Sequence, residues 1–180
     1  MNPSFPLRFF IVGFIGAGKT TLGKNLSLSI NYRFLDTDRE IEKREGLEIK
    51  DLIYQKGEEE FRRIEWEYIK SLKGEEKIVV ALSSGAGASK SIMDFIKEIG
   101  LVLHLDIPWE VIARRLGEKK ELIPPNLKIE DLYSIYLQRN RVYKKAHIVV
   151  NFKEYESMEE TILRVKRMVK VYFNEISYNF

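Results

Sequence analysis

Short runs of apolar residues alternate along the chain with longer segments in which apolar residues recur at a helical spacing. The runs have the length of strands and several are rich in Val and Ile; they span 7–12, 33–35, 77–82, 101–105 and 147–151. The segments between them predict helices over 19–30, 61–72, 91–99, 109–116, 131–145 and 158–173. Because strands alternate with helices, the pattern predicts an α/β fold with a five-stranded parallel sheet between two layers of helices.

Two polar or small-residue segments are expected to lie outside the core. Residues 83–89 (SSGAGAS) are small and flexible and directly follow the third predicted strand. Residues 117–128 contain Pro124 and Pro125 and lie between two predicted helices, and a loop of this length in a compact domain often serves as a lid. A length of 180 residues favours one domain that spans residues 1–180.

The strongest chemical signal is the segment GFIGAGKT at 13–20, which matches the pattern G-x-x-x-x-G-K-[ST] in full. It follows a predicted strand and opens a predicted helix, so that backbone N–H groups and the positive helix end can face a phosphate. Lys19 can then reach the β and γ phosphates, and the Thr20 hydroxyl can bind Mg²⁺. A simple glycine turn is the alternative. The residues expected to bind ATP here are Gly13, Gly16, Ala17, Gly18, Lys19, Thr20 and Thr21.

Composition narrows the possible functions. The formal charge of +3 does not indicate a nucleic-acid-binding protein, although it would suit an anionic substrate. The absence of cysteine excludes a disulfide framework, a cysteine-ligated zinc site and a thiol nucleophile, and two histidines are too few for a multi-histidine metal site. No stretch reaches the length of a membrane span, and we expect a cytoplasmic protein.

Two aspartates end the second predicted strand. The carboxyl ends of parallel strands face the ligand crevice, so Asp36 and Asp38 are expected beside the phosphate-binding loop. One carboxylate near Mg²⁺ and one near a substrate hydroxyl suit a small-molecule kinase. Alternatively, Asp38 only caps a helix over 39–45. An N-K-x-D segment, typical of GTPases, is absent.

At this point the sequence resembles the shikimate kinase family, small kinases with a phosphate-binding loop and a lid. The resemblance covers about the first 150 residues and includes GFIGAGKT, the FLDTDREIE segment at 34–42, IKDLI at 49–53, the G-E pair at 57–58 and FRRIE at 61–65. RNRVYKKA at 139–146 is similar to the family pattern R-x-P-L-Y-x-x-x-A. The resemblance implies transfer of phosphate from ATP to the 3-hydroxyl of shikimate, in aromatic amino acid biosynthesis.

The resemblance also implies roles for individual residues. Asp38 would contact the acceptor hydroxyl, and Asp36 would hold Mg²⁺ through water with Thr20 as direct ligand. Arg62 and Arg139 would clamp the shikimate carboxylate, with an exposed ion pair among the glutamates around Arg62 as the alternative. Residues 36–73 would form the acceptor-binding region. Arg115 would stack on adenine, or else be a surface residue at a basic helix end.

Two departures from the family pattern bear on the acceptor. The family usually has three glycines after the third strand, where this chain has Ser83, Ser84 and Gly85, and we expect Ser84 and Gly85 to bind substrate. The family lid carries R-P-L-L, and the nearest match is KELI at 120–123, so Lys120 is expected to supply the lid cation in place of an arginine.

These departures leave alternatives open. The chain could phosphorylate another small hydroxy acid such as gluconate, or it could be a catalytically silent nucleotide-binding module. The leading hypothesis is a monomeric shikimate kinase that uses ATP and Mg²⁺ and has no nucleic-acid or membrane partner.

Overall fold

The computed structural model describes residues 6–123 and 127–177, with side chains up to 174. Within these residues five strands form one parallel sheet: β1 (Arg8–Val12), β2 (Arg33–Asp36), β3 (Ile78–Ala81), β4 (Leu101–Asp106) and β5 (Ile148–Asn151). The spatial order is β2-β3-β1-β4-β5, with β1 at the centre. Every pairing is parallel; Phe10 pairs with Val80 on one side and Val102 on the other.

The helices connect these strands. Their bounds are α1 (Lys19–Ile30), α2 (Thr37–Glu45), α3 (Ile49–Lys56), α4 (Glu58–Ser71), α5 (Ser84–Gly87), α6 (Lys90–Ile99), α7 (Trp109–Glu118), α8 (Ile129–Tyr143) and α9 (Met158–Ser177). Helix α1 packs on β3 and on α9, whereas α6 packs on β4 and α8. The predicted α/β fold is confirmed.

The core consists of apolar side chains from both faces of the sheet. Consecutive residues of β1 from Phe9 to Val12 are all buried, as are all four residues of β3. A strand that is buried on both faces has no polar side to alternate with, which is why these strands were recognisable as continuous apolar runs. Asn31 ends α1 in the left-handed conformation, and its N–H bonds the last helical carbonyls.

Among the described residues, four buried polar side chains interrupt the apolar core: Ser27, Thr37, Glu65 and His104. His104 lies on β4, and its Nδ1 has no hydrogen-bond partner among the residues that the structure describes. Its ring lies 5.4 Å from the ring of Tyr143 on α8. Burial lowers the pKa of His104 to about 4, so the imidazole is neutral at pH 7.

Several local expectations need correction. Residues 84–87 form the short helix α5, although the sequence indicated a flexible segment; the Ser83 hydroxyl accepts a hydrogen bond from the N–H of Ala86, and Ala86 is buried. Helix α3 lies within residues 36–73, which the resemblance implied to be a helical acceptor-binding region, although no separate bounds were predicted for it. By contrast, a capping box forms before α9 as its sequence favours: Ser157 N–H donates to the Glu160 carboxylate at 2.8 Å and Glu160 N–H to the Ser157 hydroxyl at 3.2 Å.

The predicted lid at 117–128 is only partly within the described residues. It begins at the end of α7 and continues through a 3-10 turn at Lys120–Leu122, whereas Pro124, Pro125 and Asn126 lie outside the described residues.

Candidate active site

The phosphate-binding loop joins the end of β1 to the start of α1, at the carboxyl edge of the sheet. Gly16 and Gly18 adopt φ angles of 75° and 98°, a left-handed conformation that residues with a Cβ rarely adopt. At Gly13 a Cβ would lie 2.9 Å from the carbonyl oxygen of Leu105 on β4. The loop therefore needs glycine at these three positions, and α1 begins immediately after the third of them.

Lys19 is the first residue of α1 and points back over the loop. Its Nζ donates a hydrogen bond to the carbonyl oxygen of Phe14 at 3.0 Å. Burial lowers the pKa of Lys19 to about 8, although the neighbouring carboxylates of Asp38 and Asp36 favour its charged form; Arg139 also lowers it. A cation that is costly to bury gains from a negatively charged ligand, so this ammonium suits a phosphate.

Thr20 and Asp36 form the candidate cation site. The Thr20 hydroxyl donates a hydrogen bond to Asp36 Oδ2 at 2.8 Å, so a hydroxyl and a carboxylate oxygen lie together beside the loop. Mg²⁺ prefers oxygen ligands and usually keeps several waters and substrate phosphates, so two protein oxygens fit it. Among the described residues no cluster of three or more His, Asp or Glu side chains could hold a metal by itself.

Asp38 lies in the first turn of α2, two residues beyond the end of β2. The expectation that it caps a helix over 39–45 is wrong, because α2 begins at Thr37 and the N-cap position belongs to Asp36. Burial, together with the negative charges of Asp36 and Glu65, raises the pKa of Asp38 to about 6. Lys19 opposes this increase, so the ammonium and this carboxylate are electrostatic neighbours.

Arg62 on α4 is held by two glutamates and by the backbone of α5. It donates to Glu65 at 2.9 Å and to Glu58 at 3.2 Å, and its guanidinium lies 5.0 Å from the centre of the Phe61 ring. The predicted ion pair is therefore present, but Glu65 is only 1% exposed, unlike a partner on a solvated helix face. At Gly85 a Cβ would lie 2.7 Å from Arg62 Nη1, so a side chain at this position would displace the guanidinium.

Arg139 on α8 also contacts the short helix α5. Its Nη1 donates to the Ser84 hydroxyl at 2.9 Å, and its guanidinium lies 5.9 Å from the centre of the Phe14 ring in the phosphate-binding loop. The Tyr143 hydroxyl, one turn further along α8, donates to the carbonyl oxygen of Ser84 at 2.6 Å. Arg62 and Arg139 are thus both in contact with the Ser84–Gly85 segment.

The remaining predicted residues lie at the nucleotide side or on the lid. Arg115 on α7 donates from Nη1 to the carbonyl oxygens of Gly16 and Ala17, both at 3.1 Å. Thr21 is exposed on α1. Lys120 is exposed as well, and its side chain has no hydrogen bond or ion pair within residues 6–123 and 127–177. Arg115 is therefore part of the loop's support, whereas Lys120 is not in contact with the other candidate residues.

Sequence reasoning missed several residues that hold the site together. Glu65 and Tyr143 belong to segments that carried the resemblance, but neither received a role. Phe14 packs edge-on against Tyr136 of α8, with ring centres 5.4 Å apart, and the Tyr136 hydroxyl bonds the carbonyl oxygen of Ile107. Thr37 is fully buried, and its hydroxyl accepts the N–H of Ser83 at 2.9 Å. The family pattern around 61–65 and 139–146 could have indicated only Glu65 and Tyr143 among these positions.

Comparison with known proteins tests the resemblance independently. The family model described as shikimate kinase matches residues 15–170. The shikimate kinase of Aquifex aeolicus is 36% identical over 144 residues, which cover 80% of this chain and 86% of that protein.

Solved structures agree with the sequence relatives. The shikimate kinase of Bacteroides thetaiotaomicron superposes with a TM-score of 0.81 at 28% identity, over 92% of this chain and 99% of that one. The shikimate kinase of Acinetobacter baumannii in complex with shikimate has a TM-score of 0.79 at 25% identity and covers 94% of each chain. These matches confirm the kinase prediction and the use of ATP and Mg²⁺. This chain belongs to the shikimate kinase family.

Proposed function

We propose that the chain transfers the γ-phosphoryl group of ATP to the 3-hydroxyl of shikimate. The observation that carries this proposal is the electrostatic surroundings of Asp38, whose carboxylate interacts both with Lys19 of the phosphate-binding loop and with Glu65, the partner of Arg62. An anionic acceptor held by the arginines would present a hydroxyl to Asp38 on the side that faces the phosphates.

The phosphate side of the reaction is assigned to the loop and α1. Backbone N–H groups of residues 13–18 and the N-terminal end of α1 bind the phosphates of ATP, and Lys19 neutralises charge on the β and γ phosphates. Thr20 would bind Mg²⁺ directly and Asp36 through water; the ion would neutralise charge that develops on the phosphate oxygens. Thr21 lies next to these ligands along α1.

The acceptor side is assigned to residues 36–73 and to α8. Arg62 and Arg139 bind the acceptor carboxylate, because a guanidinium fork matches a carboxylate bidentately. Asp38 accepts a hydrogen bond from the reacting hydroxyl, orients it and takes its proton as the phosphoryl group transfers. Ser84 and Gly85 line the same position, and Gly85 leaves room for Arg62.

Two assignments concern closure and the nucleotide base. Arg115 holds the loop carbonyls and would present its guanidinium to adenine, beside Phe152, whose ring centre lies 5.7 Å away. Residues 117–128 would form the lid, and Lys120, now exposed, would bring its charge to the transferred phosphate when the lid closes.

The remaining predictions concern the protein's surroundings. No helix in the described part of the chain is long and apolar enough to cross a bilayer. A cytoplasmic location, a monomeric state and the absence of a nucleic-acid partner stay predictions, consistent with a formal charge of +3.

The decisive experiment measures ADP release with Mg·ATP and no acceptor, with shikimate, or with gluconate, and detects the phosphate ester by mass spectrometry. Shikimate should stimulate ADP release and yield one phosphate ester per ADP, with a kcat/KM far above that of gluconate. A higher kcat/KM for gluconate would reassign the acceptor. Tight ATP binding without turnover on either acceptor would favour the silent module.

A further inference from the structure

Ser83 and Ser84 stand where the shikimate kinase pattern usually has glycine, and each hydroxyl both donates and accepts a hydrogen bond within the protein. The Ser83 hydroxyl accepts from the N–H of Ala86 at 3.0 Å and donates to Glu65 Oε1 at 2.5 Å. The Ser84 hydroxyl accepts from Arg139 Nη1 at 2.9 Å and lies 3.1 Å from the Tyr143 hydroxyl. A hydroxyl carries one hydrogen, and these partners account for it.

The direction of the bonds around Ser84 follows from that hydrogen count. Tyr143 donates its hydrogen to the carbonyl oxygen of Ser84 at 2.6 Å, so it can only accept from the Ser84 hydroxyl. The Ser84 hydroxyl then donates to Tyr143 and accepts from Arg139. Because Tyr143 is fully buried, this ring of bonds anchors the guanidinium of the half-buried Arg139 to the core.

Ser83 acts on the other arginine through a buried carboxylate. Glu65 divides its two oxygens between partners: Oε1 accepts from Ser83 and Oε2 accepts from Arg62 Nη1 at 2.9 Å. The Ser83 backbone is itself fixed, since its N–H donates to the buried Thr37 hydroxyl at 2.9 Å. A rigid α5 therefore sets the orientation of Glu65, and Glu65 sets that of Arg62.

We propose that Ser83 and Ser84 are positioning residues that fix the distance and relative orientation of the Arg62 and Arg139 guanidinium groups before the acceptor binds. The proposal rests on the assignment of both arginines to the acceptor carboxylate. A free arginine side chain loses rotamer entropy when it is ordered. If the serines have already ordered both side chains, the acceptor binds without that cost. The pair would thus set the affinity for the acceptor and leave the nucleotide side unchanged.

The first test replaces Ser84 with Ala, with Gly and with Thr. We expect Ser84→Ala and Ser84→Gly to raise the KM for shikimate about tenfold, the factor for one lost hydrogen bond to a charged group, with the KM for ATP and kcat within twofold. Ser84→Thr keeps the hydroxyl and should restore most of the affinity. Ser83→Ala should act in the same direction. Ser91→Ala is the matched control, because Ser91 is exposed and its hydroxyl bonds only the Ser89 hydroxyl among the described residues.

The second test asks whether each serine acts through its arginine. In a double-mutant cycle, Ser84→Ala should add less than twofold to the KM for shikimate in an Arg139→Lys background, and Ser83→Ala likewise in an Arg62→Lys background. Calorimetric titration of each variant with shikimate supplies the same comparison without turnover, and thermal unfolding identifies any variant that fails to fold. Ser84→Gly then serves as the second variant, because glycine is compatible with any backbone conformation.

The outcomes distinguish a failure of the positioning role of Ser83 and Ser84 from a failure of the proposed function. If wild-type protein binds or phosphorylates shikimate and Ser84→Ala and Ser84→Gly leave its KM and Kd unchanged, the positioning role is wrong and the proposed function stands. An equal rise in KM for ATP and shikimate, or fully additive effects in the cycles, would also overturn it, because both indicate a general structural role. If wild-type protein neither binds nor phosphorylates shikimate, the proposed function and the inference fail together.

Discussion

The phosphate side and the acceptor side of the proposed site use different kinds of binding group. On the proposed phosphate side the binding groups are backbone N–H groups, in a loop that contains glycines with positive φ and follows the central strand of the sheet. On the acceptor side they are long side chains from α4 and α8, held by hydrogen bonds to other side chains. A main-chain cradle depends on a few contiguous residues, whereas the side-chain clamp depends on partners spread over much of the chain. Substitutions should therefore affect one substrate at a time.

The largest effect is expected at Asp38, where the two sides meet. Asp38→Asn keeps the shape but removes the group that accepts the hydroxyl proton, so kcat should fall by about 10² to 10⁴. The Kd for ATP should change little, because the loop is intact. Steady-state kinetics and calorimetric titration with ATP check both statements; a kcat within threefold of wild type would remove Asp38 from the reaction.

Arg62→Lys should weaken the binding of shikimate without weakening the binding of ATP. Lysine keeps the charge but loses the bidentate fork and the shared contact with Glu65, so the KM for shikimate should rise about 10- to 100-fold while the KM for ATP stays within twofold. Arg63→Lys is the matched control on the same helix: Arg63 is exposed and pairs with Glu60 and Glu67, and such surface pairs contribute little. Equal effects of the two variants would contradict the clamp.

Lowering the pH should reduce the free energy of unfolding through His104, which packs against Tyr143 on α8. The pKa of His104 is lowered from 6.5 to about 4 by burial, which Lys144 assists and Asp106 opposes, so below pH 6.5 the unfolded chain binds more protons than the folded one. The contribution of His104 to the free energy of unfolding should therefore fall as the pH falls, by about 2 kcal/mol between pH 7 and pH 5.

Urea unfolding of wild type and His104→Phe at pH 5, 6 and 7 isolates this contribution. Phenylalanine keeps a ring against Tyr143 and cannot titrate, so the difference in unfolding free energy between the two proteins should depend on pH. His147, whose pKa is also lowered by burial, is common to both proteins and cancels. Parallel pH profiles would show that His104 does not titrate in this range.

The smallest effect is expected on the nucleotide side, at Arg115. Arg115→Ala removes the hydrogen bonds to the carbonyl oxygens of Gly16 and Ala17, and the KM for ATP should rise about tenfold with the KM for shikimate unchanged. Arg114→Ala, an exposed neighbour on the same helix, should leave both constants unchanged. If the KM for shikimate rose more than the KM for ATP, Arg115 would belong to the acceptor side and not to the nucleotide side.

The same difference explains what the sequence could predict. The strands and the phosphate-binding loop were recognisable because an apolar run and a glycine pattern are contiguous along the chain. Glu65 was not, because a glutamate among other glutamates on a helix resembles a solvated residue; its burial comes from contacts with Ser83. Helix α5 was interpreted as a flexible segment because its small residues have weak helix propensity, and it is fixed by Thr37, Arg139 and Tyr143, which are distant in sequence.

The order of the strands also has a consequence for how the chain reaches its fold. The central strand β1 is made first, yet Phe10 pairs with Val80 and with Val102, and the second of these lies beyond the midpoint of the 180-residue chain. During synthesis the apolar segment at 9–12 therefore stays unpaired until β3 and β4 have been synthesised. Strand pairing between residues far apart in sequence is slow and leaves aggregation-prone intermediates. Refolding should therefore be slower, and its yield more dependent on protein concentration, than for a helical bundle of equal length. The strand that supports the catalytic loop is thus also the chain's main aggregation hazard before folding is complete.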